Sequence, residues 1–306
     1  MTAPSMRVPY ESIVLAMPRS PVPLPDLPDL SNLPTAAGGG GLWPNLLLVG
    51  AHKAATTTVH DWLSRHPQLA MSALKEPRHF VAPWFAAHLA ATAPGRERLL
   101  QRVIATPPAY LALFAAAMAN KPQARFRGES SPQYLYFHDL AIPAIRQTVG
   151  APRILIILRE PAERAWAAWR MLVRDRLTNA SFSQLVADEG DYIRRGWPPS
   201  FHLVQMGRYA RAVQAWLNAF PAVRILLYDD LCREPQRFLH GLLDWLGLKA
   251  DPDQGLPARL NAGPVLTTSA ADQETLRRLR AFYQSDLETL APLVRRQGGD
   301  LSPWLS

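Results

Sequence analysis

A single junction constrains this chain most. "NLLLVGAHKAATTTVHDWLSRHP", residues 45–67, joins a nearly continuous apolar run to an amphipathic segment through a short loop that carries one lysine, Lys53, ahead of three threonines. An apolar run of this length, bounded by Pro44 and Gly50, suits a strand buried on both faces, which is how strands of parallel sheets read. The next segment spaces Val59, Trp62 and Leu63 along one helical face, and Pro67 stops it.

The unit recurs along the chain. "RILIIL", 153–158, leads through Arg159 into "PAERAWAAWRMLVRDR", with Pro161 at the first helical position. "VRILLYDD" is a third strand, between a helix around 208–219 and another, "PQRFLHGLLDWLGL", that ends at a glycine-containing turn. "ARFRGES" from Ala124 is a weaker strand, and "DLAIPAIRQTVG" is a helix interrupted or begun at Pro143 and stopped at Gly150. Alternating helices and apolar strands predict an α/β fold: a P-loop-like, doubly wound parallel sheet flanked by helices through right-handed crossovers. Residues 1–44 hold nine of the 29 prolines and end in "AAGGGGLWP", so they read as an irregular arm, with the folded domain over 45–306.

The formal charge of +8 favours an anionic partner. The single cysteine, Cys232, excludes a disulfide framework and a cysteine-rich zinc site, and reads as a half-buried structural thiol. The N-terminus lacks a basic region followed by a long apolar core, so cytoplasmic residence is the expectation. "AYLALFAAAMA" from Ala109 falls short of the roughly 20 residues that span a bilayer and reads as a buried helix, leaving no transmembrane segment.

At the start of a helix that follows a buried strand, backbone N–H groups lack intrahelical partners and the dipole is positive, which makes an anion site. Residues 53–58 occupy that place: Ala54 and Ala55 let the backbone approach an anion, Thr56, Thr57 and Thr58 add hydroxyls and can cap the helix, and Lys53 adds charge. The order differs from a Walker A loop, because Lys53 follows Gly50 by three residues and no Gly-Lys-Ser/Thr run positions a hydroxyl on magnesium. A nucleotide site without a metal follows. Arg159, at the carboxyl end of a buried strand, suits a second phosphate. The structural alternatives are a threonine-rich helix cap and a surface pair between Arg159 and Glu163.

Taken in order, these segments resemble the sulfotransferase family that uses 3′-phosphoadenosine 5′-phosphosulfate (PAPS), in its bacterial and glycan-modifying branch, over roughly residues 45 to 304. The resemblance rests on "GAHKAATTTVHDWLSRHP", "KEPRHF", "GESSPQYLY", "RILIILREPAERAWAAW", "GRYARAVQAWLNAF", "ILLYDDLCREPQRFLHGLLDWLGL" and "LSPW". It implies the sulfotransferase fold, PAPS as co-substrate, 3′-phosphoadenosine 5′-phosphate (PAP) as product, and no required metal. It implies Lys53 at the phosphosulfate, the loop backbone and Thr56, Thr57 and Thr58 around the 5′-phosphate, and Arg159 at the 3′-phosphate. Glu76 is the implied base, with His202 and His138 as alternatives because another branch uses a histidine. Glu129 braces the site, and Arg259 lies where members close a loop over the nucleotide.

Three positions depart from the pattern. Ala55 replaces a glycine, at a cost of about 1 kcal/mol if its φ is positive and none if it is helical. Ala167 stands where a serine commonly meets the 3′-phosphate, and Ser130 where glycan-modifying members carry a lysine. Trp166, Trp169 and Trp216 read as core. The implied acceptor is a hydroxyl, or an amine, on a carbohydrate, lipid or carrier-bound natural product, with no nucleic acid involved. Two other readings remain: a kinase, with "LLYDD" as its one magnesium candidate, and a non-catalytic nucleotide-binding module, favoured by Ala55 and Ala167.

Overall fold

The computed structural model describes residues 41–250, 255 and 268–305, so Arg259 and the arm up to residue 40 lie outside the described residues. The five strands are β1 (Leu46–Gly50), β2 (Leu69–Met71), β3 (Phe126–Ser130), β4 (Arg153–Leu158) and β5 (Val223–Leu227). They form one sheet in the order β2-β3-β1-β4-β5, and every pair is parallel. All five residues of β1 are buried, as its unbroken apolar run requires of a central strand covered on both faces.

The helices used below are α1 (Thr56–Arg65), α2 (Pro107–Asn120), α3 (Gln133–Tyr136), α4 (His138–Thr148), α5 (Pro161–Arg174), α6 (Ala210–Ala219), α7 (Tyr228–Arg233), α8 (Pro235–Leu246) and α9 (Ala270–Arg295). Strand order fixes where a ligand can bind. After β1 the chain turns to one side of the sheet, toward β2 and β3; after β4 it turns to the other, toward β5. Adjacent strands whose connections diverge leave a crevice at their carboxyl ends. Lys53 follows β1 and Arg159 follows β4, so both stand at that crevice.

The strand and helix assignments differ from the sequence reading in instructive places. β5 ends at Leu227, and "YDD" begins α7 instead of prolonging the strand. Pro143 lies inside an unbroken α4. β2, three residues long, is too short to show a period and was not anticipated. The apolar α2 is not a buried helix: Tyr110 and Phe114 are buried, whereas Ala109, Ala112, Ala115, Ala116 and Ala119 face out. It packs one face on the edge formed by β2 and β3, and its alanines suit an exposed helix through propensity. Cys232 is exposed and not half-buried, because α7 lies along the sheet's edge with only Leu231 buried. Trp166, Trp169 and Trp216 are core residues.

Gly50 closes β1 where helix α3 crosses it. A Cβ there would lie 2.4 Å from Leu135 Cβ, so only glycine lets the strand end and α3 approach this closely. Gly50→Ala is expected to lower unfolding free energy by about 1–3 kcal/mol through overpacking. The double variant Gly50→Ala with Leu135→Gly, which removes the Cβ that the new methyl would meet, should cost less than the sum of the two single changes in urea titration, since both act on one contact.

Candidate active site

Three loops meet at the crevice. Residues 51–55 turn from β1 into α1 with Lys53 and Ala55 in left-handed backbone, at φ 70° and 60°. Ala55 is the N-cap residue and no side chain caps the helix. The threonines are therefore the first three helical residues and not its caps. The helix's first bond runs from Val59 N to Ala55 O at 3.1 Å, so the N–H groups of Thr56, Thr57 and Thr58 precede any intrahelical acceptor. Ala54, fully buried, spends its N–H on Ala51 O at 3.2 Å. What remains is a set of amide donors at the positive end of a dipole, a cradle for an anion. The left-handed φ at Ala55 means that the missing glycine does carry its cost, about 1 kcal/mol.

Lys53 belongs to the loop that leads into this helix start, and its charge is poorly solvated. Burial pulls its ammonium down to about 8, with Arg174 and Arg159 adding to the fall and Glu76 and Asp175 opposing it. His52, one residue earlier, is buried and held neutral, near 3, first by burial and then by Lys53. Among the described residues, its Nδ1 has no hydrogen-bond partner. Sequence reasoning passed over His52, although adjacency to Lys53 was a signal.

At the second junction Arg159 donates from Nη1 to Lys53 O at 3.3 Å, which joins the two junctions directly. Its guanidinium lies 4.5 Å from the centre of the Tyr228 ring, and Tyr209 donates to its carbonyl at 3.0 Å. The start of α5 differs from that of α1. Glu160 caps it, accepting from Ala162 N at 3.0 Å and Glu163 N at 2.7 Å. Anion binding on this side therefore falls to side chains. Arg159 also lies 3.8 Å from Glu163 Oε2, the pairing foreseen as the structural alternative. Ala167 is on the partly exposed stripe of α5 with Glu163 and Arg170, and it offers no hydroxyl.

The third loop carries Glu76 across the end of β3. Glu76 N donates to Ser130 O at 2.9 Å and Arg78 N to Ser131 Oγ at 3.0 Å. The Glu76 carboxylate accepts from Lys75 Nζ at 2.8 Å, from Gln133 Nε2 at 3.0 Å and from Arg78. Burial pushes this carboxyl up, but Lys75 and Arg78 outweigh it and hold it well below the usual range. Glu129 is fully buried, accepts from Tyr110 at 3.2 Å and Ser131 at 2.8 Å, and is raised to about 7 by burial. The Ser130 hydroxyl points into the core, 2.8 Å from His60 Nδ1, so it does not take the lysine's place toward an acceptor.

The alternative bases lie elsewhere. His202 is buried against Tyr136, 3.1 Å from its hydroxyl, and His138 sits 3.2 Å from Asp139. Among the described residues, no hydrogen bond or ion pair joins either to Lys53 or Glu76. The two aspartates that the kinase reading needs are also engaged: Asp229 accepts from Trp304 Nε1 at 2.6 Å, and Asp230 pairs with Arg233 at 3.5 Å.

The family model described as "Sulfotransferase family" matches residues 44–252. The chain belongs to that family. It is 25% identical over 252 residues to human heparan sulfate glucosamine 3-O-sulfotransferase 6, covering 80% of this chain and 64% of that protein. It is 22% identical to the bifunctional heparan sulfate N-deacetylase/N-sulfotransferase 1 of Caenorhabditis briggsae, covering 86% of this chain and 31% of that one. It thus spans under two thirds of the length of either relative. Among solved structures, a sulfotransferase from Alicyclobacillus acidocaldarius superposes with a TM-score of 0.74 at 28% identity, covering 86% of this chain and 99% of that one. The expected fold is therefore the observed one. No helix of the described residues is long and apolar enough to cross a membrane.

A lysine whose pKa falls on folding destabilises the fold most while it is charged in both states. Lys53→Met should therefore raise the thermal midpoint at pH 7, and the gain should shrink as pH rises from about 8, where the folded lysine loses its proton, toward 10.5. Thermal scans across that range check it.

Proposed function

We propose that this protein transfers a sulfuryl group from PAPS to an acceptor hydroxyl, within a unit formed by residues 45–306. The observation that carries the reading is the direct link between the two β–α junctions, Arg159 to Lys53 O at 3.3 Å. That link brings an uncapped helix start and a separate guanidinium to one crevice. A nucleotide with phosphates at both ends fits such a pair. The 5′-phosphosulfate would take the amides of Thr56, Thr57 and Thr58, and the 3′-phosphate would take Arg159.

As the S–O bond to the donor phosphate breaks, negative charge grows on the bridging oxygen. Lys53 neutralises it, a preorganised effect typically worth about 10²–10³ in rate. Glu76 is the base in this reading, fully ionised at neutral pH and opposite Lys53 in charge. The acceptor is a hydroxyl, or an amine, of a carbohydrate, lipid or carrier-bound natural product. The relatives' printed names speak of heparan sulfate, with both O- and N-sulfation. They support a glycan first without choosing its atom.

Transfer of label from ³⁵S-PAPS into unsulfated heparan-type polysaccharide, a lipid extract and a small-molecule extract tests the reading, alongside titration with PAP and ATP. Binding of ATP in preference to PAP would sink it. Lys53→Ala should lower turnover at least tenfold. Glu76→Gln should slow transfer by about 10²–10⁴ while leaving the PAP dissociation constant within about twofold. Binding an anion beside Lys53 should raise its pKa from about 8, so PAP binding at pH 8.5 should take up a proton and weaken as pH rises further. Calorimetry in buffers of different ionisation enthalpy reads that proton; none taken up would remove Lys53 from the donor site.

A further inference from the structure

We propose that Arg280, on the C-terminal helix α9, is the second cation of the 3′-phosphate subsite and replaces the hydroxyl that Ala167 lacks. The inference rests on the donor reading above. It begins with a carboxylate held between two guanidiniums. Glu163 Oε2 lies 3.8 Å from Arg159 Nη2, and Glu163 Oε1 accepts from Arg280 Nη2 at 2.9 Å. One oxygen faces each arginine, so the two guanidiniums stand a single anion's width apart. A phosphate presents oxygens at similar spacing with more charge, and arginine's planar fork suits it.

The neighbouring groups determine which anion can leave. Glu160 spends both oxygens on the backbone at the start of α5, and Arg280 Nε reaches it only at 4.0 Å. Glu160 is fixed. Glu163, by contrast, is 40% exposed and Arg280 48% exposed, and pairs this open contribute little to stability. A phosphate arriving at Arg159 can therefore displace the Glu163 carboxylate at small cost and take its place on Arg280. Ala167, one turn beyond Glu163 on the same partly exposed stripe of α5, has no hydroxyl to offer.

Isothermal titration of the full chain with PAP and with adenosine 5′-phosphate, which differ only in the 3′-phosphate, isolates the subsite. Arg280→Ala is expected to weaken PAP roughly tenfold and leave adenosine 5′-phosphate within about twofold, with Arg280→Lys recovering part of the loss. Glu163→Gln should strengthen PAP a few-fold without changing the 5′-phosphate ligand, because it removes the competing carboxylate. If Arg280→Ala weakens both nucleotides alike, or neither, the assignment of Arg280 is overturned. A wild-type protein that shows no preference for PAP over adenosine 5′-phosphate would overturn the donor reading itself, and with it this subsite.

Discussion

The structure depends on how the positive charge gathered at the crevice is desolvated and paired. Arg174 and Arg159 bear on Lys53, and Lys75 and Arg78 on Glu76; Glu76 and Asp175 are the carboxylates set against Lys53, and Asp175 also pairs with Arg174 at 2.8 Å. Desolvation makes such a cluster costly, as the lowered ammonium of Lys53 and the enforced neutrality of His52 both record. An anion placed beside Lys53 would offset that cost. The uncapped start of α1 adds a backbone contribution of the same sign. Much of the fold can be read as the means of holding this arrangement: β1 buried on both faces, α3 pressed on Gly50, and the Glu76 loop bonded across the end of β3.

The two junctions look alike in sequence and behave differently in structure. Each has a buried strand, a short loop and a helix, yet one helix start is open and the other is closed by Glu160. A carboxylate at the cap position satisfies the amides that a phosphate would otherwise take. The first junction can thus grip an anion with backbone, at fixed geometry. The second must use side chains, whose reach adapts to the ligand. That division suits a donor whose reacting end needs exact positioning and whose far end needs only anchorage.

How much of this was legible beforehand follows from the range of each interaction. The central strands and their helices are written in local periodicity, and β1, β4, α1 and α5 emerge close to their expected limits. The Glu160 cap is readable in principle, since an acidic residue immediately before Pro161 is a familiar helix start. Long-range features left no local trace. β2 exists because β3 offers it an edge, α2 is exposed because it covers only the sheet's margin, and Asp229 is occupied by Trp304, 75 residues away in sequence. Nothing around residue 229 announces that bond. Ala55 shows the opposite limit: its departure from glycine was visible, but only the backbone angle of 60° shows that the loop accepts the cost.

The low pKa of Glu76 bears on how the proposed reaction can use a base. A carboxylate held by Lys75, Arg78 and Gln133 is a weak proton acceptor, whereas Glu129, raised to about 7, would be a stronger one. Glu129 is sealed in the core behind Tyr110 and Ser131, and strength cannot compensate for lack of access. An acceptor hydroxyl becomes acidic only as its oxygen bonds to sulfur, so the proton leaves late, when even a weak base suffices. At that stage position and charge state outweigh basicity. Glu76 is ionised throughout the neutral range and tied on both oxygens, which removes the need to reorient during transfer. The cations that weaken it as a base are thus the same groups that fix it in place.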